Sequence, residues 1–278
     1  MLRILVSGIC GRTGSMVARA VAAGADMELA AGLERDGHPL LGSSLRDVVQ
    51  GASEGVLARG FEELQPGSVD VIIDFSAPDQ AVRCAEFAAR TKKGLVIGTT
   101  GLKEGHVRAI REASRSCAVV VAPNTGVGAN LLFREAAAMA EATGPEFDIE
   151  IVEVHHSGKK DAPSGTALRI AEEVTGARGV STDDVVVTGR SGSQSQRHPG
   201  EVGISSVRGG GVTGVHSVHF MSQFETLTIK HVVHSREAFA AGAVLAARFA
   251  ATAVPGLYGM DDVLEEASGR KTDGGEGR

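Results

Sequence analysis

The sequence contains no tryptophan and only one tyrosine in 278 residues. So sparse an aromatic set weighs against a platform that stacks single-stranded nucleic acid. Positive charge is also in deficit, with 28 Lys and Arg against 34 Asp and Glu, a net charge of −6. That balance removes the basic footprint that non-specific nucleic-acid binding requires, so no nucleic-acid partner is expected. It leaves small anionic ligands open, because they respond to local charge. Cysteine is scarce: Cys10, Cys84 and Cys117 show no paired metal-ligand spacing. No metal is expected, and this usage suits thiols packed as small hydrophobes in a reducing cytoplasm. Long apolar runs are missing too. The opening run from Met1 to Ser7 is too short for a membrane span and lacks a signal-peptide cleavage pattern, so no membrane association is expected. No internal repeat is present.

What is present is an ordinary globular composition, 42% hydrophobic and 22% charged, long enough for two domains. Leu2–Ser7 reads as a buried strand, followed by a glycine turn and apolar residues at helical spacing (Met16, Val17, Ala20, Val21). Glu28–Leu33, Val69–Phe75, Gly94–Gly98 and Cys117–Ala122 read as further strands. Helical patterns separate the later ones at Pro78–Thr91 and His106–Ser114. Strands alternating with helices predict a parallel, doubly wound α/β sheet of the Rossmann type. Residues 37–66 have weak periodicity and read as a long connection with a minor strand.

The pattern changes near residue 127. A long Ala-rich helix (128–143) and an alternating strand (147–155) precede runs at 202–207, 215–221 and 225–233 that read as strands without intervening helices. Consecutive strands predict a mixed sheet, hence a second α+β domain. The expected division is a dinucleotide-binding domain at 1–126, with 237–267 packing back on it. Residues 127–236 form the substrate and oligomerisation domain. The Gly-rich, charged end, 268–278, reads as a disordered tail.

Gly8-Ile9-Cys10-Gly11-Arg12-Thr13-Gly14 lies between the first strand and the first helix. Glycines there allow a tight turn and close approach of a pyrophosphate to a helix N-terminus. The spacing is a variant of the usual dinucleotide pattern and alone is compatible with an ordinary strand-to-helix turn. Its context, with Glu34 about 20 residues on, favours a nucleotide. Glu34 can accept from ribose hydroxyls. Arg35 can face a 2′-phosphate or stack on adenine, so both NADH and NADPH remain open as cofactors. Gly98-Thr99-Thr100 and Ala122-Pro123-Asn124-Thr125 fall at predicted C-terminal strand ends, the edge at which ligands bind in open α/β sheets.

The segment from Glu153 to Ala167 is the richest in chemistry. It places His155, His156, Lys159, Lys160 and Asp161 ahead of a Pro163-Ser164-Gly165-Thr166 turn that enters a helix. Adjacent strand histidines point to opposite faces and chelate one ion poorly. The glycine spacing of a phosphate loop is absent. Proton donors beside a helix start that favours anions fit acid–base work on a carboxylate, although a charged strand-to-helix loop would read similarly.

The His155-His156-x-x-Lys159-x-Asp161-Ala162-Pro163-Ser164-Gly165-Thr166-Ala167 stretch resembles the signature of the 4-hydroxy-tetrahydrodipicolinate reductase (dihydrodipicolinate reductase) family. The likeness extends over most of the chain, through the Gly8–Gly14 loop, Glu34-Arg35, Asp74-Phe75-Ser76, Gly98–Gly101, Ala122–Asn124 and Phe239–Ala243. The resemblance implies a Rossmann domain and a substrate domain in a homotetramer. It also implies NADH- or NADPH-dependent reduction of a cyclic dicarboxylate in diaminopimelate and lysine biosynthesis. On the matching positions it implies His155 and Lys159 as the acid–base pair and His156, Gly165 and Thr166 as substrate contacts. Gly8, Ile9, Cys10, Gly11, Arg12, Thr13, Glu34, Arg35, Gly98, Thr99, Thr100, Ala122, Pro123, Asn124 and Thr125 would line the cofactor. The chain departs from the family pattern at Thr125, Ser157-Gly158 and Val215. A reductase of another cyclic imine acid, or a dinucleotide sensor without activity on the same fold, therefore stays open.

Overall fold

The computed structural model describes residues 1–269 except Ser53 and Pro66. In chain order the first part comprises β1 (Leu2–Ser7), α1 (Arg12–Ala23), β2 (Met27–Leu33), α2 (Leu45–Val48), β3 (Val56–Ala58), β4 (Val71–Asp74), α3 (Pro78–Thr91), β5 (Gly94–Ile97), α4 (Glu104–Ala113) and β6 (Ala118–Val121). The middle comprises α5 (Val127–Thr143), β7 (Asp148–His155), α6 (Gly165–Ala177), α7 (Thr182–Val185), β8 (Val186–Thr188), β9 (Val202–Arg208), β10 (Gly214–Met221) and β11 (Thr226–Val233). The last part is α8 (Glu237–Thr252), β12 (Gly256–Tyr258) and α9 (Met260–Ala267). Two compact units result: Met1–Val127 with the segment from Arg236 on, and Gly128–Ser235. The tail expected to be disordered lies, from residue 270 on, outside the described residues.

The first unit holds a seven-stranded sheet in the order β12-β6-β5-β4-β1-β2-β3, every pair parallel. Its central strands β4 (VIID) and β5 (GLVI) are buried along their whole length, because helices cover both faces. Continuous apolar runs suit that environment better than alternation does. The order reverses direction beside β1, next to β4, so every loop that leaves a strand there emerges at one edge. Short elements escape sequence reading. α2 and β12 have four and three residues, too few for a period to show, and β3 is the minor strand expected, but not located, within 37–66.

The second unit is built on a mixed sheet in the order β11-β10-β7-β9-β8. β7 pairs antiparallel with β10 and parallel with β9. β7 reads DIEIVEVH and alternates half-buried and buried, so Ile149, Ile151, Glu153 and His155 share the inner face. α5 and α6 cover that face with Ala129, Leu132, Ile170 and Val174. β8, at three residues, had no legible pattern.

One contact fixes how α8 sits in the first unit. An ideal Cβ on Gly242 would lie 1.7 Å from the Thr125 carbonyl oxygen, so helix and loop touch backbone to backbone. Thr125 Oγ1 donates to the Phe239 carbonyl at 2.7 Å in the same place. Gly242→Ala is therefore expected to destabilise the protein by about 3 kcal/mol or more, as overpacking against unyielding backbone does. Urea unfolding of the variant against the parent checks this.

Candidate active site

The C-terminal edge of the parallel sheet collects the glycine loop, the residues after β2 and those after β4, β5 and β6. Gly8 has φ +74°, and a Cβ there would lie 2.4 Å from the Phe75 carbonyl oxygen. A Cβ on Gly14 would lie 2.0 Å from the Gly8 carbonyl oxygen, and one on Gly98 would strike the Phe75 ring at 2.1 Å. Phe75 is thus the wedge on which two loops close. Arg12 and Thr13 open α1, where a helix leaves its first N–H groups without intrahelical acceptors.

The predicted cofactor residues divide by the direction of their side chains. Gly8, Cys10, Gly11, Glu34, Arg35, Gly98, Thr100, Pro123 and Asn124 lie on the edge loops and Arg12 and Thr13 in the first turn of α1, with Arg12, Arg35 and Thr100 exposed. The Glu34 carboxylate accepts from Cys10 N–H at 3.0 Å and Arg35 N–H at 3.0 Å, so it is oriented by the glycine loop itself. Ile9, Ala122, Thr99 and Thr125 differ from the expectation. Ile9 is fully buried among core residues and fills the space beside Gly32; Ala122 is buried too. Thr99 Oγ1 donates to Asp74 Oδ2 at 2.6 Å and accepts from Ser76 N–H at 2.8 Å. The Thr125 hydroxyl is engaged by Phe239. These side chains brace the loops, so what they can offer a cofactor is backbone. Burial pushes the Asp74 carboxyl up, against hydrogen bonds from Ser76 and Thr99.

In the second unit, His155 ends β7 with its side chain 11% exposed. Its Nδ1 lies 2.5 Å from Oε2 of Glu153, two residues earlier on the same face. Glu153 is fully buried. Its carboxylate also accepts from Ser164 N–H at 3.2 Å and from both Nη atoms of Arg208 at 2.8 and 2.7 Å. Burial would raise this carboxyl; hydrogen bonds from Arg208, Ser206 and His155 overcome it and draw it down to about 2. An ionised carboxylate only accepts, so His155 Nδ1 donates the proton of that contact and Nε2 is the ring nitrogen turned away from Glu153. A Cβ on Gly214 would stand 3.2 Å from Nε2, so glycine keeps that approach open.

Lys159 lies in the following loop, and its Nζ meets both oxygens of Asp161 at 2.8 Å. Lys159 holds the Asp161 carboxyl below the usual range. His156 is half-buried beside Gly158. Ser164 caps α6, its Oγ accepting from Ala167 N–H at 3.2 Å. Gly165 and Thr166 form the first turn of that helix, the end that favours an anion. Among the described residues no cluster of three or more His, Cys, Asp or Glu side chains is placed to hold a metal ion.

Three residues of this constellation had no assigned role in the sequence. Glu153 was legible in principle, because an acid two residues before a histidine on a strand shares its face. Arg208 and His216 become neighbours only through register: Arg208 pairs with His155 and His216 with Glu153. The His216 ring stands edge-on to His155 at 5.1 Å and contacts Ser164 Oγ through Nε2 at 3.1 Å.

Burial, and then the neighbouring His155, lower the His216 pKa from 6.5 to about 4. The unfolded chain therefore takes up this proton first as pH falls. Stability from this group is complete above about pH 6.5 and is lost on descent to about pH 4, by roughly 3 kcal/mol. His216→Gln, which does not titrate, is expected to remove that part of the loss in denaturant unfolding measured across this window.

Known proteins are similar to this chain over nearly its whole length. The family model for the dihydrodipicolinate reductase N-terminus matches residues 2–125, and that for its C-terminus matches residues 128–264. A 4-hydroxy-tetrahydrodipicolinate reductase of Rubrobacter xylanophilus is 42% identical over 96% of this chain and 100% of its own length. One from Magnetococcus marinus is 40% identical over 95% of this chain and 98% of its own. A dipicolinate-bound dihydrodipicolinate reductase structure from Paenisporosarcina sp. TG-14 superposes with TM-score 0.76 and 25% identity, covering 94% of this chain and 99% of that one. An amine dehydrogenase of Mycobacterium smegmatis, at TM-score 0.64 and 14% identity, shares the fold alone. Both halves of one family thus lie end to end on this chain, which belongs to the dihydrodipicolinate reductase family.

Proposed function

We propose that this chain reduces 4-hydroxy-tetrahydrodipicolinate to tetrahydrodipicolinate, with loss of water, using NADH or NADPH, in diaminopimelate and lysine biosynthesis. The observation that carries the reading is full-length similarity to reductases of that name; a histidine and a lysine shortly ahead of a helix start support it.

The glycine loop fits a dinucleotide. Its glycines stand where Cβ atoms would strike backbone, and α1 begins behind them. Bound there, the nicotinamide supplies the hydride. Gly8, Gly11, Arg12 and Thr13 hold the pyrophosphate, Glu34 the ribose hydroxyls, and Arg35 the adenine or a 2′-phosphate. Gly98, Thr100, Pro123 and Asn124 border the nicotinamide.

The remaining chemistry belongs to the second unit. Reduction of a conjugated imine builds negative charge on the enamine, and an acid must quench it. Lys159 delivers that proton to carbon, and His155 serves as its acid–base partner through Nε2. His156 contacts the substrate. The first turn of α6, at Gly165 and Thr166, receives a substrate carboxylate. Fixed donors and positive charge bind the dianion and stabilise the charge that develops.

The assembly we assign is a homotetramer. Val154, Val207, Val215 and Val232 line up across β9, β7, β10 and β11 on the face turned away from α5 and α6. Val207 and Val232 are 47% and 39% exposed, and such an apolar row suits a self-complementary contact. Among the described residues no helix is long and apolar enough to cross a membrane. Three free thiols support a cytoplasmic location.

The test follows loss of reduced-nicotinamide absorbance while the substrate is made in situ by dihydrodipicolinate synthase from pyruvate and aspartate semialdehyde. Oxidation dependent on the coupled substrate is expected, and the two rates rank NADH and NADPH. Lys159→Ala is expected to lower kcat about 10²- to 10⁴-fold with dinucleotide affinity kept. No oxidation by folded protein that binds dinucleotide would overturn the assignment.

A further inference from the structure

Arg208 stands at the end of β9, and every Nη proton of its guanidinium is accounted for. Nη1 donates to Glu153 Oε2 and to the Val207 carbonyl, each at 2.8 Å. Nη2 donates to Glu153 Oε1 and to the Asp161 carbonyl, each at 2.7 Å. Nε is buried without a partner. This guanidinium is therefore not available to clamp a substrate carboxylate, the usual reading of an arginine in such a site.

Its two targets, Glu153 and Asp161, are the residues that hold the two members of the acid–base pair. Glu153 holds His155 by Nδ1, and Asp161 holds Lys159 by Nζ. Neutralising a buried carboxylate would account for the bidentate contact with Glu153. It does not account for the bond to the Asp161 carbonyl, which ties the 156–163 loop to the same cation. The backbone repeats the connection: Gly209 N–H donates to the His155 carbonyl at 2.9 Å and Ser157 N–H to the Gly210 carbonyl at 3.1 Å.

We infer that Arg208 is the positioning residue that holds His155 and Lys159 in register, by clamping the Glu153 carboxylate and the Asp161 backbone at once. The inference rests on the reading of His155 and Lys159 as the acid–base pair. Arg208 touches neither substrate nor cofactor in this account. It acts by fixing where one proton donor stands relative to the other, and misplacement by about 1 Å can cost about 10²-fold in rate.

Arg208→Lys is the first test. Lysine keeps a cation beside Glu153 but cannot span both carboxylate oxygens and the Asp161 carbonyl. The variant is expected to bind dinucleotide as the parent does while kcat falls about 10²-fold, and KM for the dinucleotide stays unchanged. In the substrate-free protein, amide exchange at Ser157 and Lys159 is expected to accelerate, a readout that needs no turnover. Arg208→Ala supplies the second test: methylguanidinium in millimolar amounts is expected to restore part of its kcat. A folded Arg208→Lys protein with parental kcat and exchange would overturn the inference. So would Arg208→Ala that added methylguanidinium leaves unrestored. A parent without turnover would refute the assigned reaction instead, and the exchange measurement would still read the clamp.

Discussion

A buried carboxylate must be satisfied, and at Glu153 that requirement organises the second unit. The group is fully buried, and its lone pairs are met by His155, Ser206, the Ser164 N–H and two Arg208 nitrogens. The donors come from three places in the chain: the end of β7, the cap of α6 and the end of β9. Leaving one of them out would strand charge in the interior, at a cost of several kcal/mol. The site geometry is therefore enforced by electrostatics as well as by the apolar packing beneath it. His216 completes the arrangement as a neutral ring, because burial and the adjacent imidazole both oppose a second positive charge.

A different constraint governs the nucleotide edge. There the loops close through backbone contacts that only glycine permits, with Phe75 wedged between Gly8 and Gly98. Asp74, Ser76 and Thr99 form a hydrogen-bonded knot behind that wedge. The edge is built mostly of backbone, with Arg12, Arg35 and Thr100 exposed on it and the Glu34 carboxylate held by the loop N–H groups of Cys10 and Arg35. Mechanical support and recognition are thus divided between neighbouring residues: Thr99 braces and Thr100 is exposed.

Much of this was legible in the sequence, for identifiable reasons. Buried strands such as β1 and β4 announce themselves as continuous apolar runs, and β7 through its alternation. The glycine loop and the His155–Thr166 stretch lie contiguous in the chain, so spacing alone reveals them. Arg208 and His216 are distant in sequence and reach Glu153 only through strand register, which a single sequence does not disclose. Ile9, Thr99 and Thr125 sit within motif positions yet face inward; motif membership says nothing about which way a side chain turns. Strands of three residues, β3, β8 and β12, are too short to carry a period at all.

The arrangement of the second unit depends on Glu153 being ionised in the interior, since that fixes the His155 tautomer and gives Arg208 its partner. Carbon-13 labelling of glutamate, with Glu153 assigned by its Gln variant, lets its carboxyl resonance be followed during acid titration of the folded protein. The carboxyl is expected to stay ionised as pH falls below the usual carboxylate range and to titrate near 2 if the fold persists that far. A midpoint at or above the ordinary 4.5 would contradict this, and with it the arrangement of the acid–base pair.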